Sequence, residues 1–563
     1  MNDSNCAGVS LAVVAALAAG SADGAQPNSV PLYHVVEIAL AGPKLGPAET
    51  PARDVKLAMT WRHESGKPSV RVLGFWDGDG KGGSSGGVFK VRFCPTRAGR
   101  WRVVRTESDR PQLRGQKEGV EVLCTPSRHP GFWIAGRRWY GRSDGSHPYV
   151  TGNTHYTFLS RRNDKGASGV DPAADVRANA KYFKKLRFAL GGGRYPDPKL
   201  KPFLDEAGRQ TEDGRFSLRP NPAWFHRRAD LAVRAGFEAD VICDLIVCGP
   251  DTREIRSTLK GDPGAWLRYL AARYGAYANV WFCLCNEWNI KRPSYKPAEI
   301  VAAGRILRAA LPYPTPVSVH GNSGNWDASL NGTWHDHAII QWKLKKLDRA
   351  ADAAADNHGR GGTKPVCNDE NAYEGKGDRF SEADVIEGCF GTFLGGGYPT
   401  TGQKPASKKG QYFWGGFDGG AHRAADNLGA LRDYVDRHVA FWQMKPARPN
   451  ESIFRGAPDS SRVLAEAGRE YVLGTNRAAR GIRAKLPAGK WRVVQLDLMT
   501  IEQKTLAAEA KGEITFAVPD SRATMTHFRR IDGKPGPVRP TRRPTRETGE
   551  GVMNLKWLRL QPR

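Results

Sequence analysis

Cysteine is scarce in this chain. There are nine among 563 residues, an odd number, which excludes the disulfide-stapled scaffold of small secreted domains. Cys243, Cys248, Cys283, Cys285, Cys367 and Cys389 lie mostly in apolar runs, the setting of a buried small hydrophobe. Cys283 and Cys285 form C-x-C with no second pair at zinc-ligand spacing, and His335 and His337 flank Asp336 without further ligands. Neither a metal nor a cofactor is therefore expected. Beyond the N-terminus no apolar run reaches 18 residues, so no membrane-spanning helix is predicted. No period of 20 to 50 residues repeats, and the motifs of the common nucleic-acid folds are missing.

Acidic residues are outnumbered: 58 Asp and Glu against 85 Lys and Arg leave a net charge of +27. That excess suits an anionic partner, such as a uronate- or sulfate-bearing polysaccharide, or else reflects a general bias toward arginine. The basic residues are spread along the chain and concentrate only after Arg529. No nucleic-acid partner is expected from so even a distribution.

The length exceeds what one core serves, and the pattern along the chain divides it. Residues 1–25 hold an apolar segment, 9–20, followed by small residues, which resembles a secretory signal, although Asp3 stands where a basic residue is usual. A secreted or periplasmic location is expected. Residues 31–125 read as short alternating strands around the glycine-rich turn 77–87, the rhythm of a β-sandwich. Trp61, Phe75, Trp76 and Trp101 there are candidates for a sugar platform, or more simply for core.

From 126 to 445 strands alternate with helices, which predicts a parallel sheet. Strands are expected over 148–154, 187–190, 239–247, 280–285, 315–319, 338–342, 365–367 and 395–398, and eight of them fit one (β/α)8 barrel. Residues 446–530 read as a second, C-terminal β-sandwich, and 531–563 as a basic, proline-rich tail. The expected fold class is thus α/β, a TIM barrel flanked by two sandwiches.

The fourth of those strands carries the chemistry. The run 280–285 has no polar alternation, as befits a parallel strand buried on both faces, and it stops at Asn286, Glu287 and Trp288. The seventh strand is followed by Glu370, with Asp369 and Glu374 as competitors close by. Carboxylates at the C-terminal rim of one barrel can face each other across its mouth. Glycosidic cleavage with retention needs such a pair about 5 Å apart, one protonated and one ionised. A glutamate after a strand is by itself more often a solvated loop residue. The pairing of two strand ends is what favours catalysis.

With these residues in view, the chain resembles the clan A retaining glycoside hydrolases, in particular the apiosidase-like barrels flanked by an N-terminal sandwich and a C-terminal sandwich labelled collagen-binding. The likeness is carried by Asn286-Glu287, Glu370, Tyr373-Glu374-Gly375, GFWDGDG at 74–80, FKVRFCPTRAGRWRV at 89–103, GNTHY at 152–156 and GGGY at 395–398. It implies Glu287 as acid/base, Glu370 as nucleophile and Asn286 as hydrogen-bond donor to the sugar hydroxyl beside the anomeric carbon. Asn153 departs from the Thr or Ser that is more usual, and strand four is unusually rich in cysteine.

Further rim candidates for sugar binding are His155, Tyr156, Arg194, His320, Tyr373 and Trp414, with Gln341 and Trp342 on strand six. A lone histidine or tryptophan is more often structural, so each is weaker than the glutamates. The function expected is a retaining O-glycosidase acting on a plant or algal poly- or oligosaccharide. The alternative is a non-catalytic carbohydrate-binding or surface-adhesive protein on a barrel scaffold.

Overall fold

The computed structural model describes residues 29–45, 49–156, 159, 171–190, 200–205, 207–211, 219–249, 257–321, 332–360, 364–375, 379–403 and 422–532. The expected signal segment, Arg194, Trp414 and nearly all of the basic tail lie outside them.

At the centre is a mixed α/β unit built on parallel strands: β1 (Gly152–Thr154), β2 (Lys185–Ala189), β3 (Ile242–Ile246), β4 (Val280–Cys283), β5 (Val317–Ser318), β6 (Ala338–Ile340), β7 (Val366–Asn368) and β8 (Tyr398–Gln403). Each pairs in parallel with its neighbour, and β8 returns to pair with β1, so the sheet runs β5-β4-β3-β2-β1-β8-β7-β6. It is a nearly closed barrel, with its seam between β5 and β6. Asp336 spans that seam: its backbone N–H donates to Val317 O at 2.8 Å, and its carboxylate accepts from Val317 N at 2.7 Å.

The strands are buried on both faces, and β4 (VWFC) and β6 (AII) are wholly apolar, whereas β2 and β3 carry the buried charges Lys185, Arg187 and Asp244. Helices lie between them, among them Pro263–Tyr274, Pro297–Ala310 and Glu382–Leu394. Their starts are written in the sequence. Asp262 accepts from Gly264 N ahead of Pro263, and Ser381 with Asp384 makes a reciprocal capping box.

Seven strands between 29 and 125 form one connected sheet ahead of the barrel. Trp61 stacks on Phe93 with ring centroids 4.4 Å apart, and Trp101 packs alongside. Trp61, Phe75, Trp76 and Trp101 are all buried. Their role is core, and none is presented as a sugar platform.

This sheet is joined to the barrel by charges removed from water. Arg273, from the helix before β4, donates to both oxygens of Asp230 at 2.8 and 2.9 Å and to Asp77 at 2.9 Å. Arg92, from the N-terminal sheet, donates to Asp230 at 3.0 Å and to Glu37 at 2.8 Å. Asp230 therefore serves one arginine from each side.

After the barrel, a six-stranded and a three-stranded sheet enclose a shared core of Phe454, Leu473, Ile482, Trp491, Phe516 and Phe528. Arg522 ties this region to the barrel helix through Asp384 and Glu387. Two small additions were not foreseen: the hairpin Trp133–Ala135 with Tyr140–Arg142, and a three-stranded sheet at Phe203–Leu204, Gln210–Thr211 and Arg219–Pro220. Segments of two or three residues are too short to carry a periodicity.

Candidate active site

The chain leaves β4 through Cys285 and Asn286 and turns at Glu287, whose φ of +47° lies in the left-handed region. An ordinary side chain is held there at a cost, which marks the position as one fixed by its surroundings. Glu287 is buried, as is Glu370 two residues past the end of β7.

Both glutamates meet one amide. Gln341, directly after β6, donates from Nε2 to Glu287 Oε1 at 2.5 Å and to Glu370 Oε2 at 3.1 Å. The two carboxylate oxygens consequently lie no further apart than the sum of those distances, about 5.6 Å. The other oxygen of Glu287 is 3.3 Å from Lys291 Nζ, and the other oxygen of Glu370 accepts from the Tyr156 hydroxyl at 2.5 Å.

Beneath the pair lies Arg187 of β2, fully buried. Its guanidinium donates to the Tyr156 hydroxyl at 2.9 Å and to Asn286 Oδ1 at 2.8 Å, and its Nε lies 3.7 Å from Asp369 Oδ2. Asn286 Oδ1 also accepts from His320 Nδ1 at 2.7 Å. With its oxygen claimed by these donors, the Asn286 amide is fixed with its nitrogen on the opposite side. Burial, and then the charge of Arg187, hold the His320 imidazole well below its usual range, so the ring is neutral. Since Nδ1 carries the hydrogen donated to Asn286, Nε2 has only a lone pair to offer; it lies 4.0 Å from Glu370 Oε1.

Electrostatics separate the acids. Burial, followed by repulsion from Glu287, raises the Glu370 carboxyl above its ordinary value, while Arg187 and the Tyr156 hydroxyl act against that rise. For Asp369 burial also pushes upward, but Lys185 at 2.5 Å and then Arg187 outweigh it and keep the group ionised. Thr400 adds a hydroxyl donor to Asp369 at 2.9 Å. Glu374 accepts from His422 and from the backbone N–H groups of Arg423 and Ala424, all at 3.0 or 3.1 Å. Asp369 thus serves an internal ion pair and Glu374 anchors a chain segment, whereas Glu370 is the one that meets Glu287.

The remaining sequence candidates divide. Tyr156 lies within the cluster with its hydroxyl on Glu370, a supporting place and not one that stacks on a sugar. Tyr373 is buried with Lys343 Nζ 5.2 Å from its ring centre, and burial and then the neighbouring Glu370 raise its phenol well above the usual range. His155 is buried at the end of β1, where its backbone N–H donates to Arg187 O. The sequence does not single out Arg187 and Lys185: its pattern starts strand two at Arg187, and nothing local announces that a buried strand carries two cations. Gln341 was noticed only as a rim residue.

Residues 29–108 match a family model described as a domain of unknown function, DUF5060. No curated protein matches the chain. Among solved structures, the chain is similar to one described as a candidate glycoside hydrolase from Bacteroides vulgatus, with 18% identity, a TM-score of 0.72, and 90% of this chain and 100% of that one covered. It is also similar to a structure described as a glycoside hydrolase, at 12% identity and TM-score 0.56 over 72% of this chain and 98% of the other. A family 5 glycoside hydrolase from Bacteroides vulgatus gives 11% identity and TM-score 0.55 over 71% and 94%. At such identities the likeness is one of fold.

Proposed function

We propose that this chain is a secreted or periplasmic retaining O-glycosidase, a (β/α)8 barrel between two sandwiches, acting on a plant or algal polysaccharide. The observation that carries the reading is the pair of buried glutamates sharing the Gln341 amide, with oxygens at most about 5.6 Å apart. Retaining enzymes hold their carboxyls at about 5–5.5 Å, whereas inverting ones leave about 6.5–9.5 Å for a water. The fold shared with structures described as glycoside hydrolases supports the same class, and the net charge of +27 favours an anionic glycan.

In the first step a Glu370 oxygen forms a bond to the anomeric carbon while the bond to the leaving oxygen breaks and that oxygen takes the proton of Glu287. In the second, water attacks the anomeric carbon, gives a proton to Glu287 and releases Glu370 as a carboxylate. Tyr156 stabilises the ionised Glu370, and Arg187 orients both Tyr156 and Asn286, whose amide nitrogen donates to the neighbouring sugar hydroxyl. Glu287→Gln and Glu370→Gln are each expected to lower hydrolysis of aryl glycosides by about 10²–10⁴-fold or more with folding intact. Full activity in either variant removes that residue from the mechanism. Glycan retention on an affinity gel with no turnover of any aryl glycoside points instead to a binding protein.

A further inference from the structure

Gln341 is placed for more than lining the mouth. Its carboxamide has two N–H bonds, and Nε2 stands 2.5 Å from an oxygen of Glu287 and 3.1 Å from an oxygen of Glu370, one hydrogen for each acid. Reversing the amide would turn its oxygen onto two carboxylates, so the orientation is set by charge. The amide oxygen itself is buried and has no hydrogen-bond partner among the described residues.

The backbone on either side is pinned to the segment that bears Glu370. Ile340 O accepts from Asp369 N at 3.1 Å, Trp342 N donates to Asn368 Oδ1 at 3.2 Å, and Asn368 Nδ2 donates back to Trp342 O at 2.9 Å. A shift of the Gln341 backbone relative to the Glu370 segment must therefore break bonds on both sides of it.

We infer that Gln341 is a positioning residue for both half-reactions: its amide nitrogen holds Glu287 and Glu370 at their working separation and donates to whichever of them is charged. This rests on the proposed glycosidase reading for its chemistry and on the geometry alone for the clamp. During glycosylation Glu370 gives up its negative charge to the new ester bond and Glu287 becomes the carboxylate. During deglycosylation the ester breaks, Glu370 recovers the charge and Glu287 takes the proton from water. A donor that serves only one acid would favour one step at the expense of the other. Gln341 faces both and needs no rearrangement between them.

The test compares the full-length protein with Gln341→Met, which keeps the volume without a donor, and Gln341→Glu, which puts a third carboxyl between the two. In protein labelled with ¹³C at the glutamate carboxyls, with Glu287→Gln and Glu370→Gln assigning the signals, the pair is expected to titrate about one pH unit higher or more in Gln341→Met, and higher still in Gln341→Glu. With 2,4-dinitrophenyl glycosides, which report deglycosylation, and 4-methylumbelliferyl glycosides, which report glycosylation, Gln341→Met is expected to slow both steps by about 10- to 100-fold, with an unchanged melting midpoint. An unmoved carboxyl titration, or a loss confined to one step, overturns the inference. If the unaltered protein turns over no aryl glycoside while the titration still moves, the glycosidase reading fails and the clamp stands.

Discussion

Arg187 and Asp369 show how much of this site is decided by single side chains below the reacting pair. Arg187 holds Tyr156 and Asn286 from one guanidinium, so replacing it with methionine removes a donor from each and takes one of the two cations beside Asp369. Arg187→Met is expected to lower aryl-glycoside hydrolysis by about 10²-fold. Asp369→Asn preserves shape but leaves the Lys185 ammonium buried without its 2.5 Å partner. It is expected to cost about 3–5 kcal/mol in denaturant unfolding, whereas Glu370→Gln should lose activity and keep stability. The opposite pattern would place the chemistry on Asp369. The sequence showed Glu287 and Glu370 because each follows a strand directly. It left Asp369 and Glu374 in competition, because neighbouring residues after a strand point in different directions and only their partners, Lys185 and His422, tell them apart.

At the level of elements, the first seven strands of the barrel overlap the spans expected from the sequence, whereas the eighth, Tyr398–Gln403, shares only Tyr398 with the expected 395–398. Within strand two the burial of Lys185 and Arg187 was not legible, because their acidic partners, Asp244 and Asp369, come from distant parts of the chain. The contact between β5 and β6 was not legible either, because among the described residues it turns on the backbone and side chain of one residue, Asp336. Asp336 carries the backbone hydrogen bonds of the seam on its carboxylate and its own N–H, and it also pairs with Arg308. Asp336→Ala is expected to destabilise the fold by about 1–3 kcal/mol. Hydrogen exchange would then be faster at Val317 than at β1 or β2. Uniform protection across the barrel would show that the seam is held by other contacts.

For the molecule as a whole, the composition along the chain did not show how its parts are fastened. The N-terminal sheet is fastened to the barrel by the buried cluster of Arg92, Arg273, Asp230, Asp77 and Glu37, whose members are scattered through the sequence. Burial opposes ionisation of these acids, yet Arg92 and then Lys90 bring Glu37 down to about 2, and Arg273 foremost lowers Asp77 and Asp230. Acids with depressed values in the folded state stabilise it above their unfolded pKa of about 4 and lose that contribution as the pH falls toward their folded values. Stability measured by chemical denaturation is therefore expected to drop between about pH 5 and pH 2, and Asp230→Asn should flatten that drop while lowering stability at neutral pH by about 3–5 kcal/mol. A pH-independent midpoint across that range would contradict the assignment.

The fold thus brings two strand ends together, and the glycosidase account depends on which of the acids there becomes bonded to sugar. The most direct measurement incubates the protein with a panel of 2,4-dinitrophenyl 2-deoxy-2-fluoroglycosides, which accumulate the covalent intermediate, followed by peptide mass mapping. The account predicts one glycosyl ester, on Glu370, that forms only slowly or not at all in Glu370→Gln. An ester on Glu287, Asp369 or Glu374, or turnover of the parent glycosides without any adduct and with inverted product, would contradict it.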